Sequence, residues 1–224
     1  MCPGAVYVAP VRTPATLAEI RAAVAEALGA PENAPSVSLG VAQIDLETAG
    51  GAKMWNWNVG NVKATDLWSG AFTCIKLTEV INGETVHFWP AGEVDAAGAV
   101  VGQAWKVPPG HPQTRMRAFA TLEDGVRSWE QTLRRARYAS AWEALQAGEV
   151  GAFAAGLKKG GYFTADAGKY AAGLLERLKK TANSEGIDNQ SEAVEHGARS
   201  NPLPVLLILG AGAGLVLANR RRRA

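Results

Sequence analysis

The stretch Val41-Ala-Gln-Ile-Asp-Leu-Glu-Thr-Ala-Gly-Gly-Ala-Lys-Met-Trp-Asn-Trp-Asn-Val-Gly-Asn-Val-Lys63 decides how this chain folds. Its first part follows an apolar helical pattern that reaches Glu47 and stops at Gly50-Gly51, and glycines there are the usual signal for the end of a helix. Glu47 is therefore expected in the last turn, where the helix dipole disfavours an anion. Dipole and partial burial both favour the protonated carboxyl, which a general acid needs near neutral pH. The alternative is a solvated glutamate at a helix end.

The segment after Glu47 resembles a known enzyme family. A glycine-containing turn is followed by Asn56-Trp-Asn-Val-Gly-Asn-Val-Lys63, and this order resembles the bacterial and phage N-acetylglucosaminidases of the flagellar and autolysin type, in the lysozyme-like superfamily. In that family a catalytic Glu ends a helix, and an Asn-x-Phe-Gly-Ile-Lys segment follows after a short loop. Gly60 and Asn61 depart from the pattern, because they stand where the family has Phe and Gly.

The resemblance implies roles for several residues of this segment. It makes Glu47 the catalytic acid and gives Asn58 and Lys63 places at the substrate. Trp57 is a separate candidate, since aromatic faces stack on sugar rings and this indole lies beside the catalytic stretch. The alternative for Trp57 is core packing, the role that helical spacing predicts for Trp129 and Trp142.

Two later segments resemble the same family. Phe119-Ala-Thr-Leu-Glu-Asp-Gly-Val-Arg-Ser-Trp129 is similar to a helix start of the Tyr-Asp-Ser-Leu-Glu type. Gly161-Tyr-Phe-Thr-Ala-Asp166, followed by Tyr170-Ala171, is similar to Gly-Tyr-Ala-Thr-Asp followed by Tyr-Ala, with Phe163 as an insertion-like departure. The matches together cover residues 36–180. They imply that Tyr162 borders the active site.

A second carboxylate is predicted on a β-hairpin. Over residues 72–89 the apolar period changes to two, which predicts one strand, a turn at Asn82-Gly83 and a return strand. Glu79 lies on the more apolar face of the first strand, between Leu77 and Ile81. An exposed glutamate near a hairpin end is the alternative. In the resembling family a Thr-Glu pair before an Asn-Gly turn supplies the second carboxylate, so the resemblance implies that role for Glu79.

The remaining apolar periods predict helices. Thr16-Leu-Ala-Glu19 is a capping box that begins the first helix, and Ser36 or Ser38 can cap the helix that carries Glu47. Three more helices are expected between residues 121 and 161. Asp166 can cap the last, with Tyr170 facing inward. The implied fold is α+β and mostly helical, a lysozyme-like domain with a small β-hairpin lobe plus a C-terminal transmembrane helix.

Composition divides the chain into five segments. They are an N-terminal segment with a packing helix (1–35), the lysozyme-like glucosaminidase domain (36–180, with its β-lobe at about 66–117), a polar linker (181–201), a transmembrane helix (202–219) and a basic tail (220–224).

The C-terminal segment is predicted to lie in a lipid bilayer. Leu203 to Ala218 is an uncharged apolar run just short of the ~17–25 residues of a spanning helix, and Pro202 together with snorkelling arginines closes the gap. By the positive-inside tendency, Arg220 to Arg223 should stay on the cytoplasmic or inner virion side. The catalytic domain then faces the wall. Gly210 and Gly214 have the Gly-x-x-x-Gly spacing that permits helix pairing, and hence self-association.

Charge and cysteine content exclude other classes. The formal net charge is +2 and four positive charges belong to the tail, so the rest is nearly neutral and no nucleic-acid-binding surface is expected. Cys2 and Cys74 lack metal-ligand spacing, and free thiols are expected. The three histidines are scattered, and no metal or cofactor is predicted. The N-terminus does not read as a secretory signal peptide.

These features predict a membrane-anchored glycosidase that cleaves the β-1,4 bond after N-acetylglucosamine in peptidoglycan, with Glu47 as general acid and Glu79 as second carboxylate. An anchor without a signal peptide favours a wall-penetrating enzyme of a phage virion, in the virion membrane or the host envelope. Two alternatives stay open. A lytic transglycosylase would use Glu47 alone, and the departure at Gly60-Asn61 allows a catalytically inactive glycan-binding or structural membrane protein on the same fold.

Overall fold

The computed structural model describes residues 4–65, 67–81, 84–88 and 114–193, with the side chains of 78–81, 84–87 and 183–193 left out. The chain divides into two compact units, residues 1–186 and 187–224. The helices are α1 (Leu17–Leu28), α2 (Pro35–Thr48), α3 (Leu122–Leu133), α4 (Ala139–Ala147), α5 (Val150–Lys159) and α6 (Ala167–Ala193). The strands are β1 (Val6–Tyr7), β2 (Ala71–Cys74), β3 (Leu77–Ile81), β4 (Glu84–Phe88) and β5 (Arg115–Arg117).

Helix α2 is the central helix of the first unit. Nine of its 14 residues are buried, on every side of the helix, and a helix that is apolar all round belongs to an interior. Its N-cap is Ala34, with Pro35 at the first helical position, so the prediction that Ser36 or Ser38 caps it is wrong. Proline favours this start because its φ is already helical and its missing N–H would have no partner there.

Trp129 of α3 fills the space beside α2. Its side chain is 0% exposed, and its indole N–H donates to Gln43 Oε1 at 3.0 Å. A Cβ on Gly40 would lie 2.9 Å from the ring, so the two helices approach closely only because residue 40 has no side chain. The predicted core role of Trp129 is confirmed, and Trp142 packs partly buried against the same core.

The end of α2 is confirmed where the glycines predict it. Ala49, Gly50 and Gly51 have positive φ values of 51°, 71° and 81°, the left-handed conformation that closes many helices. A Cβ on Gly51 would lie 2.1 Å from the carbonyl oxygen of Ala15. This close approach fixes the chain direction directly after Glu47.

The sheets differ in part from the predicted hairpin lobe. Strands β3 and β4 form the expected antiparallel hairpin, with Leu77 opposite Phe88 and Ile81 opposite Glu84. The first strand is not continuous, however, because residues 75 and 76 separate β2 from β3. Strand β2 instead belongs to a three-stranded sheet, in the order β1-β2-β5, parallel to β1 and antiparallel to β5.

The N-terminal segment is part of the same unit as the predicted domain. Strand β1 pairs with β2, and α1 packs against α2 and α3. The capping box of α1 is present, since Thr16 Oγ1 accepts from the Glu19 N–H at 3.2 Å and the Thr16 N–H donates to Glu19 Oε2 at 2.7 Å. The structure therefore shows no boundary at residue 36.

Helices α3, α4 and α5 lie where the apolar periods predict them, and the mostly helical α+β class is confirmed. Helix α6 begins after Asp166, whose Oδ1 accepts from the Lys169 N–H at 2.9 Å. It continues to Ala193, into the predicted linker, where no proline interrupts the helix. None of the described helices is both long and apolar enough to cross a bilayer. The predicted spanning segment 202–219 and the tail 220–224 lie outside the described residues.

A pair of alanine substitutions tests the close packing of α3. A Cβ on Gly125 would lie 1.8 Å from the carbonyl oxygen of Trp57, whereas a Cβ on Gly151 in α5 would meet nothing within 4 Å. We expect Gly125→Ala to lower the free energy of unfolding by about 2 kcal/mol or more, because backbone must move. Gly151→Ala should leave it unchanged or raise it by up to ~1 kcal/mol. Denaturant unfolding measures both, and equal effects would contradict the packing described.

Candidate active site

Glu47 is held at both carboxyl oxygens. The hydroxyl of Tyr170 donates to Oε1 at 2.8 Å. The amide nitrogen of Asn61 donates to Oε2 at 3.1 Å and to the main-chain oxygen of Glu47 at 3.0 Å. The half-buried carboxyl is thus placed by one donor from α6 and one from the loop after α2.

Tyr170 stays protonated and therefore remains a hydrogen-bond donor to this carboxyl. Burial, the charge of Glu47 and the neighbouring Tyr162 raise the pKa of Tyr170 far above its ordinary value, against a small opposite effect of Gln43. The phenol therefore keeps its proton across the neutral and mildly alkaline range. Its ring stacks on Phe163, with centroids 4.0 Å apart and planes 16° apart, so the insertion-like Phe163 supports the donor.

Asn61 occupies a backbone position that suits glycine. Its φ is 48°, and asparagine is among the few residues that adopt this left-handed conformation readily. Asparagine thus adopts a conformation that glycine also allows, and it adds an amide. That amide is the group that reaches Glu47.

Gly60 makes room for Tyr162. A Cβ at this position would lie 2.6 Å from the Tyr162 hydroxyl and 2.8 Å from Cδ1 of Trp129. The Tyr162 hydroxyl donates to the Gly60 carbonyl at 2.6 Å. Burial and the charge of Glu47 raise the pKa of Tyr162 well above its ordinary value, so this phenol also stays protonated.

Asn58 shapes the loop that carries Asn61. It is 3% exposed, and its amide nitrogen donates to the carbonyls of Val62 and Arg117 at 2.9 and 3.0 Å. Its Oδ1 accepts from the Val62 N–H at 2.8 Å. These contacts make Asn58 a positioning residue for the loop, and direct contact with a glycan stays a prediction.

Tyr162 and Lys63 line one cavity of about 310 Å³ together with Asn61. Asn61 connects this cavity to Glu47, because its side-chain amide also donates to the carboxyl. Trp57 lines a different cavity, with Glu19 and Glu26 of α1 among its other walls. Of the predicted substrate-binding residues, Tyr162 and Lys63 thus share a cavity with Asn61, whereas Trp57 lines another.

The second carboxylate is located by its backbone. Glu79 lies in β3 opposite Val86, and its side chain lies outside the described residues, so its catalytic role stays a prediction.

The carboxylate of Asp45 is too deep to reach a substrate, since it is 1% exposed and faces Arg177 at 3.4 Å. Cys74 is buried and forms no disulfide with a described residue. In the described part of the chain no three potential ligands gather into a metal site.

Sequence reasoning missed the two donors to Glu47. Tyr170 packs against the core, as its inward-facing position on the last helix predicts, but helical spacing does not show that its hydroxyl reaches Glu47. The match of Tyr170-Ala171 to the family pattern is the signal that points to the site. Asn61 stood out only as a departure. No local pattern shows that its amide points back to Glu47.

Two substitutions test the placement of Glu47. Tyr170→Phe keeps the ring on Phe163 and removes the hydroxyl, and Asn61→Gly keeps the left-handed backbone and removes the amide. A hydrogen bond to a charged group contributes about 1.5–3 kcal/mol, so each variant should lose roughly 10–150-fold in kcat/KM on cell walls with a nearly unchanged Tm. Wild-type kcat/KM in both variants would show that neither donor serves the reaction.

Comparison with protein-family models and with curated proteins finds no match. Among solved structures, the chain is similar to a peptidoglycan hydrolase mutant from Sphingomonas sp. A1, with a TM-score of 0.52 and 23% identity over 76% of this chain and 94% of that one. A glycoside hydrolase domain from Salmonella typhimurium FlgJ gives 0.46 and 23% over 75% and 95%. The Sphingomonas sp. A1 peptidoglycan hydrolase itself gives 0.46 and 22% over 81% and 93%. The first likeness confirms, at the level of the fold, the resemblance seen in the sequence.

Proposed function

We propose that this chain is a glycosidase that cleaves peptidoglycan at the β-1,4 bond after N-acetylglucosamine. The observation that carries the proposal is the Glu47 carboxyl at the end of a buried helix, fixed by Tyr170 and by Asn61, which also lines a cavity. The fold shared with a peptidoglycan hydrolase supports the same substrate class.

In this proposal Glu47 is the general acid. Its proton passes to the glycosidic oxygen as the bond to the sugar breaks and an oxocarbenium-like transition state forms. Glu47 is left as a carboxylate, and that charge is received by donors already in place on both of its oxygens. Because these donors need no reorganisation during the reaction, they stabilise the charge as it develops.

Glu79 is proposed as the second carboxylate, which activates water or stabilises the oxocarbenium-like state. Its place in the hairpin β3–β4 puts it on an element distinct from α2. A lytic transglycosylase is the alternative enzyme, and it would need Glu47 alone. A catalytically inactive glycan-binding protein is the alternative of another class.

Two glutamine substitutions separate these functions. Glu47→Gln removes the transferable proton and should abolish release of wall fragments, while Glu176→Gln, an exposed position on α6, should leave it unchanged. Glu79→Gln should cost about 10²–10⁴-fold in rate if that carboxylate acts in a hydrolase. Mass spectrometry of the fragments measures the rate and identifies the end groups.

The outcomes are distinct. Anhydro ends, with most activity kept in Glu79→Gln, would identify a transglycosylase. Activity retained in Glu47→Gln would contradict the catalytic assignment. Absence of fragments with the wild-type protein, together with binding to walls, would identify the inactive glycan-binding protein.

We further propose, from the sequence alone, that residues 202–219 anchor the domain in the membrane of a phage virion or of a host envelope, with the domain facing the wall. Truncation after Asn201 should convert a detergent-dependent protein into one that stays in the aqueous fraction. Equal solubility of the full-length and truncated chains without detergent would contradict the anchor.

A further inference from the structure

We propose that the cavity lined by Asn61 and Tyr162 binds an anionic substituent of the glycan strand, namely a carboxylate of the stem peptide on the muramyl residue. This inference rests on the proposed function. It adds a binding site for the part of peptidoglycan that distinguishes it from a neutral polymer of N-acetylglucosamine. The cavity is lined by four cationic side chains, those of Lys63, Arg117, Arg135 and Arg137.

Arg117 is the buried member of this group. It is 4% exposed, one guanidinium nitrogen donates to Ser128 Oγ at 2.9 Å, and the guanidinium lies 4.3 Å from the centre of the Trp68 ring. Its Nε has no hydrogen-bond partner among the described residues. Burial, followed by the positive charge of Arg135, lowers the pKa of Arg117 to about 10, so it is still a cation at neutral pH.

Two of the cavity's arginines, Arg135 and Arg137, have no acidic partner among the described residues. No acidic residue is among those that line the cavity, and within the described ranges no carboxylate forms an ion pair with Arg135 or Arg137. Other arginines of the same region are compensated, since Arg134 pairs with Glu130, and Arg127 with Glu26 and Asp124. Like charges gathered at one wall repel one another, and a bound anion would remove that cost.

The guanidinium of Arg137 is also held in place by an aromatic ring. Arg137 lies over the ring of Tyr138, 4.6 Å from its centre, and a guanidinium can bind a carboxylate through two parallel N–H donors. The threonines at 65 and 164 add hydroxyls to the lining. A charged, hydrogen-bonding wall of this kind offers more to a carboxylate than to a neutral sugar.

The location links this cavity to the reaction. Asn61 and Tyr162 line it, and Asn61 also donates to Glu47. A glycan strand with a sugar bond at Glu47 would therefore present its next substituent to the arginines. The cavity would thus favour strands that carry stem peptides and place them for cleavage.

The test is binding of three soluble ligands to the full-length Glu47→Gln protein, which should not consume them. The ligands are a peptidoglycan tetrasaccharide with its stem peptides, the same tetrasaccharide stripped by an amidase to its lactyl carboxylates, and a neutral chitotetraose. Arg135→Gln and Arg137→Gln are each added to this protein, and Arg127→Gln is the control with the same loss of charge on α3. Calorimetry gives each Kd at low and high ionic strength.

We expect Arg135→Gln and Arg137→Gln each to raise the Kd of the stem-bearing ligand about tenfold and to weaken its salt dependence. The Kd of chitotetraose should not change, and the Arg127→Gln control should match its parent. If these two substitutions also raise the Kd of the stripped ligand, the cavity binds lactyl carboxylates as well. If they leave that Kd unchanged, the binding is restricted to the stem peptide.

Equal losses for the neutral and charged ligands, no loss with either arginine variant, or no binding of the charged ligand at all would each overturn the proposal. Failure of the proposed function has a separate sign, which is the absence of cleavage products when the protein with its native Glu47 is incubated with cell walls. Charge-dependent binding without cleavage would support the anion-binding cavity and contradict the proposed glycosidase function.

Discussion

The carboxyl of Glu47 is the point on which this structure depends, because its two hydrogen bonds join parts of the chain that are far apart in sequence. Tyr170 comes from a helix 123 residues further on, and Asn61 comes from the loop that follows α2. Ordering two distant side chains around one carboxyl costs conformational entropy. That cost is met by other contacts, since Phe163 holds the Tyr170 ring and Asn58 holds the Asn61 loop.

Helices α2 and α6 are also joined by an ion pair whose carboxylate is buried. Asp45 lies two residues before Glu47 and faces Arg177 at 3.4 Å, and Arg177 lies about two helical turns after Tyr170. A buried pair adds little net stability, but loss of one partner leaves an uncompensated charge and is costly. The pair therefore acts against sliding of α6 along α2. Such sliding would pull the Tyr170 hydroxyl away from Glu47.

Local sequence signals were sufficient where neighbouring residues decide the structure. The capping box of α1 and the glycines after Glu47 each act through bonds or angles within a few residues. Strand β1 shows the opposite case, because it is two residues long and exists only through its pairing with β2. No periodic pattern can indicate so short an element.

Trp57 shows why the candidate site could be predicted only in part. Asn56 and Trp57 have φ values of 47° and 55°, and two left-handed residues in succession turn the chain sharply. The indole is thereby directed to the cavity beside α1, although it is close to Glu47 in sequence. Proximity in sequence was the basis of its predicted role, and backbone conformation decided its actual place.

Arg117 connects the loop that positions Asn61 to the cavity proposed to bind a carboxylate. Its main-chain N–H donates to the Val62 carbonyl at 3.0 Å, and its own carbonyl accepts from Asn58, so its backbone supports the loop that positions Asn61. Its guanidinium meanwhile lines the cationic cavity. A cation fixed by the scaffold loses little freedom when an anion binds, which favours affinity. Loss of Arg117 would therefore disturb both the Asn61 loop and the cavity. Arg135 and Arg137 reach the cavity from the chain around the 3₁₀ turn Ala136–Tyr138, and in the proposal they contribute only to anion binding.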